Sequence, residues 1–431
     1  MNLTKIWISI RDSFWFVPAV YSVVALLLVI LFNATDIWLV SRYSEQIPDI
    51  LETDQDIAKA LYAGLLTAIL TMTTISFSII MVVLTTYSTQ FSPRTLQDFM
   101  RSRMTHHVLG VFCFGFIFAL IYLLLIGEQD TFLGPIIMAI IAIICLAFFV
   151  YFIHHAARWL QVNNLIDIIH TDSSRVIENT YKQGTFDEYQ TWMEGDVTRI
   201  KQQSSLEYRA KQTGYVQSVE WAPMVRWAKR NSCVVELHVQ IGDFVMKDLP
   251  IASLYAEEKL EEETNSFATH IVIGTERTDL QDIEFLIQKL VEIAVKAISP
   301  SINDPHTAIN SINRIGSNLL QLGKVHKDIR FITDEDDKLR IIKHPKRYED
   351  FLYKSFYQIV HYANGDVSIY YSLIEVLYKL SLASDQEIQQ KIWSFHYYIV
   401  DAIEWDTLLP KDKQHLETIY EKFKQYYGVD E

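Results

Sequence analysis

The 431-residue sequence is poor in cysteine, with only three. Cys113 and Cys145 fall inside apolar runs, and Cys233 lies in the more polar part of the chain. An odd number of widely spaced cysteines gives no disulfide framework. We therefore expect free thiols that pack as small apolar side chains, as in a reducing compartment.

The sequence also lacks the short motifs of common catalytic and nucleotide-binding sites. It has no G-x-x-x-x-G-K-[ST], G-x-G-x-x-G, H-E-x-x-H, G-x-S-x-G or C-x-x-C. We therefore expect no enzyme activity and no cofactor.

An excess of basic residues is missing as well. The chain has 38 Lys and Arg residues against 52 Asp and Glu, for a net charge of −14. This balance argues against nucleic acid as a partner.

Four stretches lack charged residues altogether: 14–32, 60–92, 108–126 and 131–153. About 20 apolar residues cross roughly 30 Å of hydrocarbon as a helix. The sequence therefore predicts four transmembrane helices in a lipid bilayer. The first is too long for a signal-peptide core and has no A-x-A-like site after it, so we expect an uncleaved span.

Basic residues indicate the orientation. Lys5 and Arg11 precede the first run, three arginines lie between the second and third, and Arg158 follows the fourth. The other two loops are mainly acidic or have no Lys or Arg. The positive-inside rule then places both termini in the cytoplasm.

After the spans, the patterns predict an α+β cytosolic region. We assign 1–160 to a four-helix transmembrane domain, 161–212 to a helical stalk or connector, 213–277 to a small β module and 278–431 to a mainly helical domain. The β module rests on the alternation in "CVVELHVQIGDFV", and its strand–turn–strand pattern resembles barrel-sandwich domains. "DIRFIT" and "KLRIIK" predict a hairpin, and three or four amphipathic helices from Tyr348 predict a C-terminal helical bundle.

The second span carries a stripe of hydroxyls at helical spacing. One interpretation is a water-facing stripe that lines a conduit around the axis of a homo-oligomer. The other is helix packing, in which small side chains allow close approach and each hydroxyl bonds a carbonyl one turn back. Both interpretations turn the stripe away from lipid. Its residues are Thr67, Thr71, Thr74, Ser78, Thr85 and Ser88.

The loop after this span contains Arg94, Arg101 and Arg103 among apolar residues at helical spacing. This pattern is typical of an interfacial helix whose arginines meet lipid phosphates. A role in gating or anion attraction is the alternative.

Histidine pairs stand at the cytosolic ends of two spans, His106 and His107 before the third and His154 and His155 in the fourth. Four imidazoles at one depth are weak metal or pH-sensing candidates. Adjacent histidines point in different directions on a helix, so interfacial placement is favoured and no metal is expected.

The stretch "AISPSINDPHTAIN" predicts a joint between two helices. Asp304 is expected to cap the second helix and Pro305 to start it. Ser299 and Asn303 crowd the turn, which is either a rigid joint or part of a ligand site with Arg277 and Asp282.

The segments "TISFSIIMVVLTTYSTQFSPRTLQDF" at 74–99 and "GTERTDLQDIEFLIQKLVEIAVKAISPSINDPHTA" at 274–308 resemble a bacterial membrane-protein family called domain of unknown function 2254. The resemblance covers nearly the whole chain. It implies a multi-pass protein of the bacterial inner membrane and no particular activity.

Two functional hypotheses follow. The first is an oligomeric channel or transport-like pathway lined by the second span and regulated by the cytosolic half. The alternative is a membrane-anchored scaffold or sensor whose cytosolic domain binds a protein or a small ligand. The expected partners are the bilayer, further copies of the chain, and an ion or small ligand.

Overall fold

The computed structural model describes residues 15–43, 54–90, 103–125, 133–181, 194–257 and 264–428. The chain divides into two compact units, Met1–Asn164 and Leu165–Glu431. We call them the membrane unit and the C-terminal unit, and describe each by itself.

The described residues of the membrane unit form four long helices, as the uncharged runs predict. They are α1 (Phe16–Tyr43), α2 (Gln55–Gln90), α3 (Arg103–Leu125) and α4 (Leu133–Trp159). Each is long and apolar enough to cross a membrane. This confirms the prediction of four apolar helices of that length.

Helix α3 lies at the centre of the membrane unit, where α1, α2 and α4 all pack against it. Phe112, Phe118 and Tyr122 of α3 are fully or almost fully buried. The outward faces of α1, α2 and α4 expose large apolar residues such as Leu27, Met81 and Ile143. A bundle that is apolar both inside and outside is typical of membrane proteins.

The C-terminal unit contains both strands and helices. Helix α5 (Val162–Thr180) crosses the boundary between the units in the sequence and is followed by α6 (Glu194–Lys201). The strands are β1 (Ser204–Arg209), β2 (Gly214–Val219), β3 (Cys233–Leu237), β4 (Phe244–Val245), β5 (Pro250–Ala256), β6 (Ile271–Gly274), β7 (Phe331–Thr333) and β8 (Leu339–Ile342). Helix α7 (Trp221–Arg230) connects β2 to β3, and a 3₁₀ helix (Thr264–His270) precedes β6.

These strands form two sheets. The five-stranded sheet has the order β1-β5-β3-β8-β7, and the three-stranded sheet has the order β4-β2-β6. All pairs are antiparallel except β3 with β8, where Val235 lies opposite Ile341. Val216, Leu254 and Trp227 contribute to one core shared by the two sheets and α7.

The strand predictions hold in part. The hairpin β7–β8 is confirmed, but it joins the sheet that contains β3 and β5. Strand β1 lies within 161–212, a range that the sequence assigned to a helical connector. Its one-sided pairing with β5 at the sheet edge explains its weak apolar pattern. The resemblance to barrel-sandwich domains stays a prediction.

Six helices complete the C-terminal unit: α8 (Ile283–Ala297), α9 (Pro305–Val325), α10 (Tyr348–Tyr362), α11 (Val367–Ala383), α12 (Gln386–Val400) and α13 (Pro410–Tyr426). Asp282, Asp304, Asp366 and Asp385 each accept a backbone hydrogen bond at the start of a helix. Such caps satisfy amide groups that have no partner within the helix. Four of these helices, α10 to α13, follow Tyr348, in agreement with the three or four that the sequence predicts.

Helices α9 and α11 pack against each other, and an added Cβ at Gly316 would lie only 2.2 Å from Cγ2 of Val376. Gly316→Ala should therefore lower the unfolding midpoint, because overpacking costs about 1–3 kcal/mol and exceeds the ~1 kcal/mol gain in helix propensity.

Gly323→Ala in the same helix is the matched control, since its Cβ would meet Ile388 and Tyr348 only at 3.4 Å. It should leave the midpoint unchanged or raise it. Thermal unfolding of both variants in detergent would measure the difference. An equal rise in both midpoints would show that α9 and α11 do not pack at Gly316.

Candidate functional site

Arg277 and Asp282 form a bidentate ion pair at the start of α8. Arg277 Nε donates to Asp282 Oδ2 at 2.6 Å, and its Nη2 donates to Oδ1 at 3.0 Å. Asp282 is only 3% exposed and also accepts from the amide of Phe285. One carboxylate therefore both caps the helix and binds the guanidinium. Arg277 and Asp282 therefore lie together, while the ligand site that would join them to the turn at Ser299, Asn303 and Asp304 stays a prediction.

A second carboxylate extends this network. Glu284 lies 2.8 Å from Lys346 Nζ and 3.3 Å from Arg277 Nη2. Burial alone would raise the pKa of Glu284, but the two cations outweigh that effect and lower it. Glu284 is therefore ionised at neutral pH, and both carboxylates at this helix start are neutralised by basic partners.

Asp282, Glu284 and Lys346 of this network line one side of a cavity of about 130 Å³. Eight short segments surround it, from the end of α5, β2, α7, the β3–β4 connection, the start of α8, the end of α9, the residues after β8, and α10. Its apolar wall consists of Val219, Trp221, Val239, Ile241, Ile283 and Phe351. A cavity of this size holds a benzene-sized molecule.

Lys343 is the basic group most closely associated with the apolar wall. Its ammonium lies 5.0 Å from the centre of the Trp221 ring, a cation–π geometry. Burial lowers the pKa of Lys343 to about 8. Lys327, His326 and His344 also line the cavity, together with the carboxylates of Asp282 and Glu284.

His326 is held between two partners beside this cavity. Its Nδ1 lies 2.6 Å from the Tyr181 hydroxyl and its Nε2 lies 3.0 Å from Asp328. Burial lowers the pKa of His326 despite the nearby carboxylate. A neutral imidazole at pH 7 thus joins the end of α5 to the end of α9.

The turn between α8 and α9 lies apart from this cavity. Ser299, Asn303 and Asp304 follow the carboxyl end of α8, whose 15 residues span about 22 Å. Asp304 accepts from the amide and the hydroxyl of Thr307 at 3.1 and 2.6 Å, and Pro305 starts α9. The capping prediction is confirmed, and the turn and Arg277 stand at opposite ends of one helix.

The hydroxyl stripe lies on the outside of the membrane unit. The side chains of Thr67, Thr71, Thr74, Ser78 and Thr85 are exposed on this chain. Each hydroxyl donates to the carbonyl four residues earlier, at 2.8 to 3.0 Å. The opposite face of α2 packs inside the unit through buried residues such as Tyr62, Ile69 and Val83. The side chain of Ser88 lies outside the described residues.

Of the three arginines predicted to meet lipid phosphates, the structure describes only the last. Arg94 and Arg101 lie outside the described residues, and Arg103 is an exposed first residue of α3.

The two histidine pairs have mainly aromatic partners. His107 lies 3.2 Å from the hydroxyl of Tyr21, His155 stacks on Tyr151, His106 is buried and His154 is exposed. Within the described ranges, no group of three or more His, Cys, Asp or Glu side chains is placed to hold a metal.

The sequence analysis missed Asp36, a carboxylate buried inside the membrane unit. Its Oδ2 accepts from the Tyr122 hydroxyl and from the amide of Gly134, both at 3.2 Å. Tyr62 stacks on Tyr122 beside it. Gly134 is in the first turn of α4, so Asp36 of α1 satisfies an amide at the start of another helix. The sequence feature that could have revealed Asp36 was the presence of a carboxylate so close to an apolar run.

Sequence reasoning also missed Lys343, Trp221 and His326. Each stands at the end of a strand or helix, and nothing in its local sequence shows that the three segments meet.

Four apolar helices followed by a mixed α/β unit define a membrane protein with a large second unit. The network at α8 and the cavity beside it belong to that second unit. The chain belongs to the family of predicted membrane proteins called DUF2254, whose model matches residues 11–379.

Similar proteins occur in mycobacteria. An uncharacterized protein of Mycobacterium tuberculosis and another of Mycobacterium bovis are each 25% identical to this chain over 254 residues. These residues are 56% of this chain and 48% of each relative, so the chain spans about half the length of the curated relatives it matches. No solved structure matches it significantly.

The buried ion pair at α8 should contribute strongly to the stability of the C-terminal unit. Arg277→Met leaves Asp282 buried without its guanidinium, which costs about 3–5 kcal/mol. We expect a large drop in the thermal unfolding midpoint of the full chain in detergent.

Arg209→Met is the control. Arg209 pairs with Glu207 at 2.6 Å, but its side chain is 55% exposed against 22% for Arg277. An exposed pair contributes about 0–1 kcal/mol. Equal, small shifts for both variants would contradict the assigned role of Arg277.

Proposed function

We propose that this protein forms a homo-oligomeric channel or transport-like pathway in the bacterial inner membrane, lined by α2 and regulated by the C-terminal unit. Both termini then lie in the cytoplasm, as the distribution of Lys and Arg indicates. The proposal includes no catalytic role and no nucleic-acid partner. The observation that carries it is the exposure of the hydroxyl stripe on the outside of the membrane unit.

The stripe supports association between copies of the chain. Ala60, Ala63 and Gly64 continue it toward the start of α2, and an added Cβ at Gly64 would meet no atom within 4 Å. Small and hydroxyl-bearing residues allow helix backbones in a membrane to approach closely. A second copy is thus a better neighbour for this face than acyl chains.

The hydroxyl oxygens also favour water opposite the stripe. Each donor is already used by a carbonyl of α2, but the lone pairs of the oxygens can still accept from water. Cyclic symmetry would bring one α2 from each copy around a common axis. Thr71, Thr74 and Ser78 would then line the middle of a polar pathway.

Flux measurements on reconstituted protein test this proposal. Thr74→Leu and Ser78→Leu place branched apolar side chains on the stripe and should reduce ion flux in liposomes to background. Thr86→Leu is the matched control, since it changes the same residue type about 100° around α2 from Thr85.

The oligomeric state of each variant in detergent shows whether assembly is retained. Absent flux in the native protein, or native flux in both stripe variants, would contradict the channel.

A second candidate function is a membrane-anchored scaffold or sensor, in which α2 serves only in packing. The cavity at the start of α8 favours it, because a mostly apolar recess with a few charged groups is the usual form of a small-ligand site. Ligand binding by the full chain together with an absence of flux would favour this alternative.

A further inference from the structure

We propose that a second cavity, within the C-terminal helical bundle, binds a small organic cation, an ammonium attached to a ring or a short apolar chain. Glu404 and Asp412 receive the ammonium, and Tyr370 and Tyr398 contact the rest of the ligand. The inference goes beyond the proposed pathway, because it concerns binding alone and does not require that α2 line a conduit.

This second cavity, which we call the bundle cavity, is lined by residues between Val360 and Asp412. Helices α10 and α12 end beside it, and α11 and α13 begin beside it. Its volume is about 590 Å³. Cavities of roughly 300–1,000 Å³ are the usual sites of small organic ligands. The bundle cavity therefore has room for a molecule larger than the cavity beside α8 can hold.

The charged groups of the bundle cavity indicate a cation. Glu404 and Asp412 line it, and neither side-chain carboxylate has an ion pair or a hydrogen bond within the described ranges. Among the described residues that line the cavity, the other ionisable side chains are His361 and two tyrosines, and none is Lys or Arg. Lys411 and Lys413 flank Asp412 in the sequence, but neither lines the cavity. An ammonium would thus meet two carboxylates that no cation of the chain already pairs.

The helix ends at the bundle cavity also favour a cation. The last carbonyls of α10 and α12 give those helix ends a partial negative charge. The first turns of α11 and α13 carry the opposite partial charge, but a carboxylate offsets it in each. Asp366 accepts from the amides of Ser368 and Ile369 at 2.8 and 3.3 Å, and Asp412 lies in the first turn of α13.

The wall of the bundle cavity indicates an organic ligand. Tyr370 is 5% exposed, and its hydroxyl donates to the carbonyl of Ala402 at 3.3 Å, which fixes the ring. Tyr398 is 39% exposed, so part of its ring is open to a ligand. Aromatic rings attract ammonium groups through their faces. Val360 and Ile403 add aliphatic surface that an inorganic cation would leave uncovered.

The segment that carries Glu404 is held in place by its own hydrogen bonds. The carbonyl of Glu404 accepts from the amide and the hydroxyl of Thr407 at 3.0 and 2.8 Å. Trp405 Nε1 donates to the carbonyl of Val400 at 3.3 Å. A backbone that is already ordered lowers the entropic cost of binding a ligand.

The test is calorimetric titration of the detergent-solubilised full chain at pH 7 with tryptamine, indole-3-acetate and ethylamine. Tryptamine and indole-3-acetate share one ring system and carry opposite charges. We expect tryptamine to bind, ethylamine to bind more weakly and indole-3-acetate not to bind. Equal binding of tryptamine and indole-3-acetate, or no binding of tryptamine, would overturn the inference.

Variants identify the carboxylates responsible. Glu404→Gln combined with Asp412→Asn removes both charges at nearly constant volume. It should weaken tryptamine binding at least about tenfold, since two charge pairs at about 4 Å contribute that factor even in water. Glu417→Gln is the matched control, because Glu417 is an exposed carboxylate of α13 that does not line the cavity. It should bind tryptamine as the native chain does.

Variants of Tyr398 test the aromatic contact by a separate route. Tyr398→Phe keeps the ring and should retain tryptamine binding, whereas Tyr398→Leu should weaken it. Thermal unfolding of each variant shows whether the fold is retained. Equal affinity in the Phe and Leu variants would contradict a contact between the ring and the ligand.

The outcomes separate the bundle cavity from the channel and from the cavity beside α8. Tryptamine binding that depends on Glu404 and Asp412, in a protein without flux, supports the inference and overturns the channel. Native affinity in the double variant overturns the inference whatever the flux. A loss of binding in Trp221→Leu would place the ligand in the cavity beside α8 and would overturn it as well.

Discussion

The ion pair between Arg277 and Asp282 fixes the place where the segments of the C-terminal unit meet. Asp282 caps α8, so any movement of its carboxylate also moves the start of that helix. Gly242 at the β3–β4 connection has a φ of +92°, and a Cβ there would collide with both partners of the pair. Only glycine allows the backbone to come this close. The pair therefore holds the start of α8 close to the β3–β4 connection, and both segments line the cavity.

Charge compensation explains why this arrangement is compatible with folding. A buried carboxylate without a cation is costly, and so is a buried cation without a carboxylate. The network satisfies Asp282 and Glu284 with Arg277 and Lys346. The ammonium of Lys343 lies 5.0 Å from the centre of the Trp221 ring, and this interaction offsets part of its desolvation cost.

Polar side chains of the membrane unit find hydrogen-bond partners in two ways, either within their own helix or on another helix. The hydroxyls of α2 bond carbonyls of their own helix, so spacing within one segment predicts their partners. Asp36 instead joins α1 to α3 and α4 through Tyr122 and Gly134. Such a contact depends on how helices far apart in the sequence are arranged. For this reason the sequence revealed the stripe and did not reveal the buried carboxylate.

Local signals account for most of what could be predicted. The absence of charge in four runs determined the four long helices, because hydrocarbon excludes charged side chains. Asp304 and Pro305 determined where α9 begins, because their preferences act within a few residues. The tertiary structure alone decided that β8 pairs in parallel with β3, and that Trp221, His326 and Lys343 surround one cavity. Strands β3 and β8 lie more than 100 residues apart in the sequence, and so do Trp221 and Lys343. The periodicity within one segment does not show which distant segment it will contact.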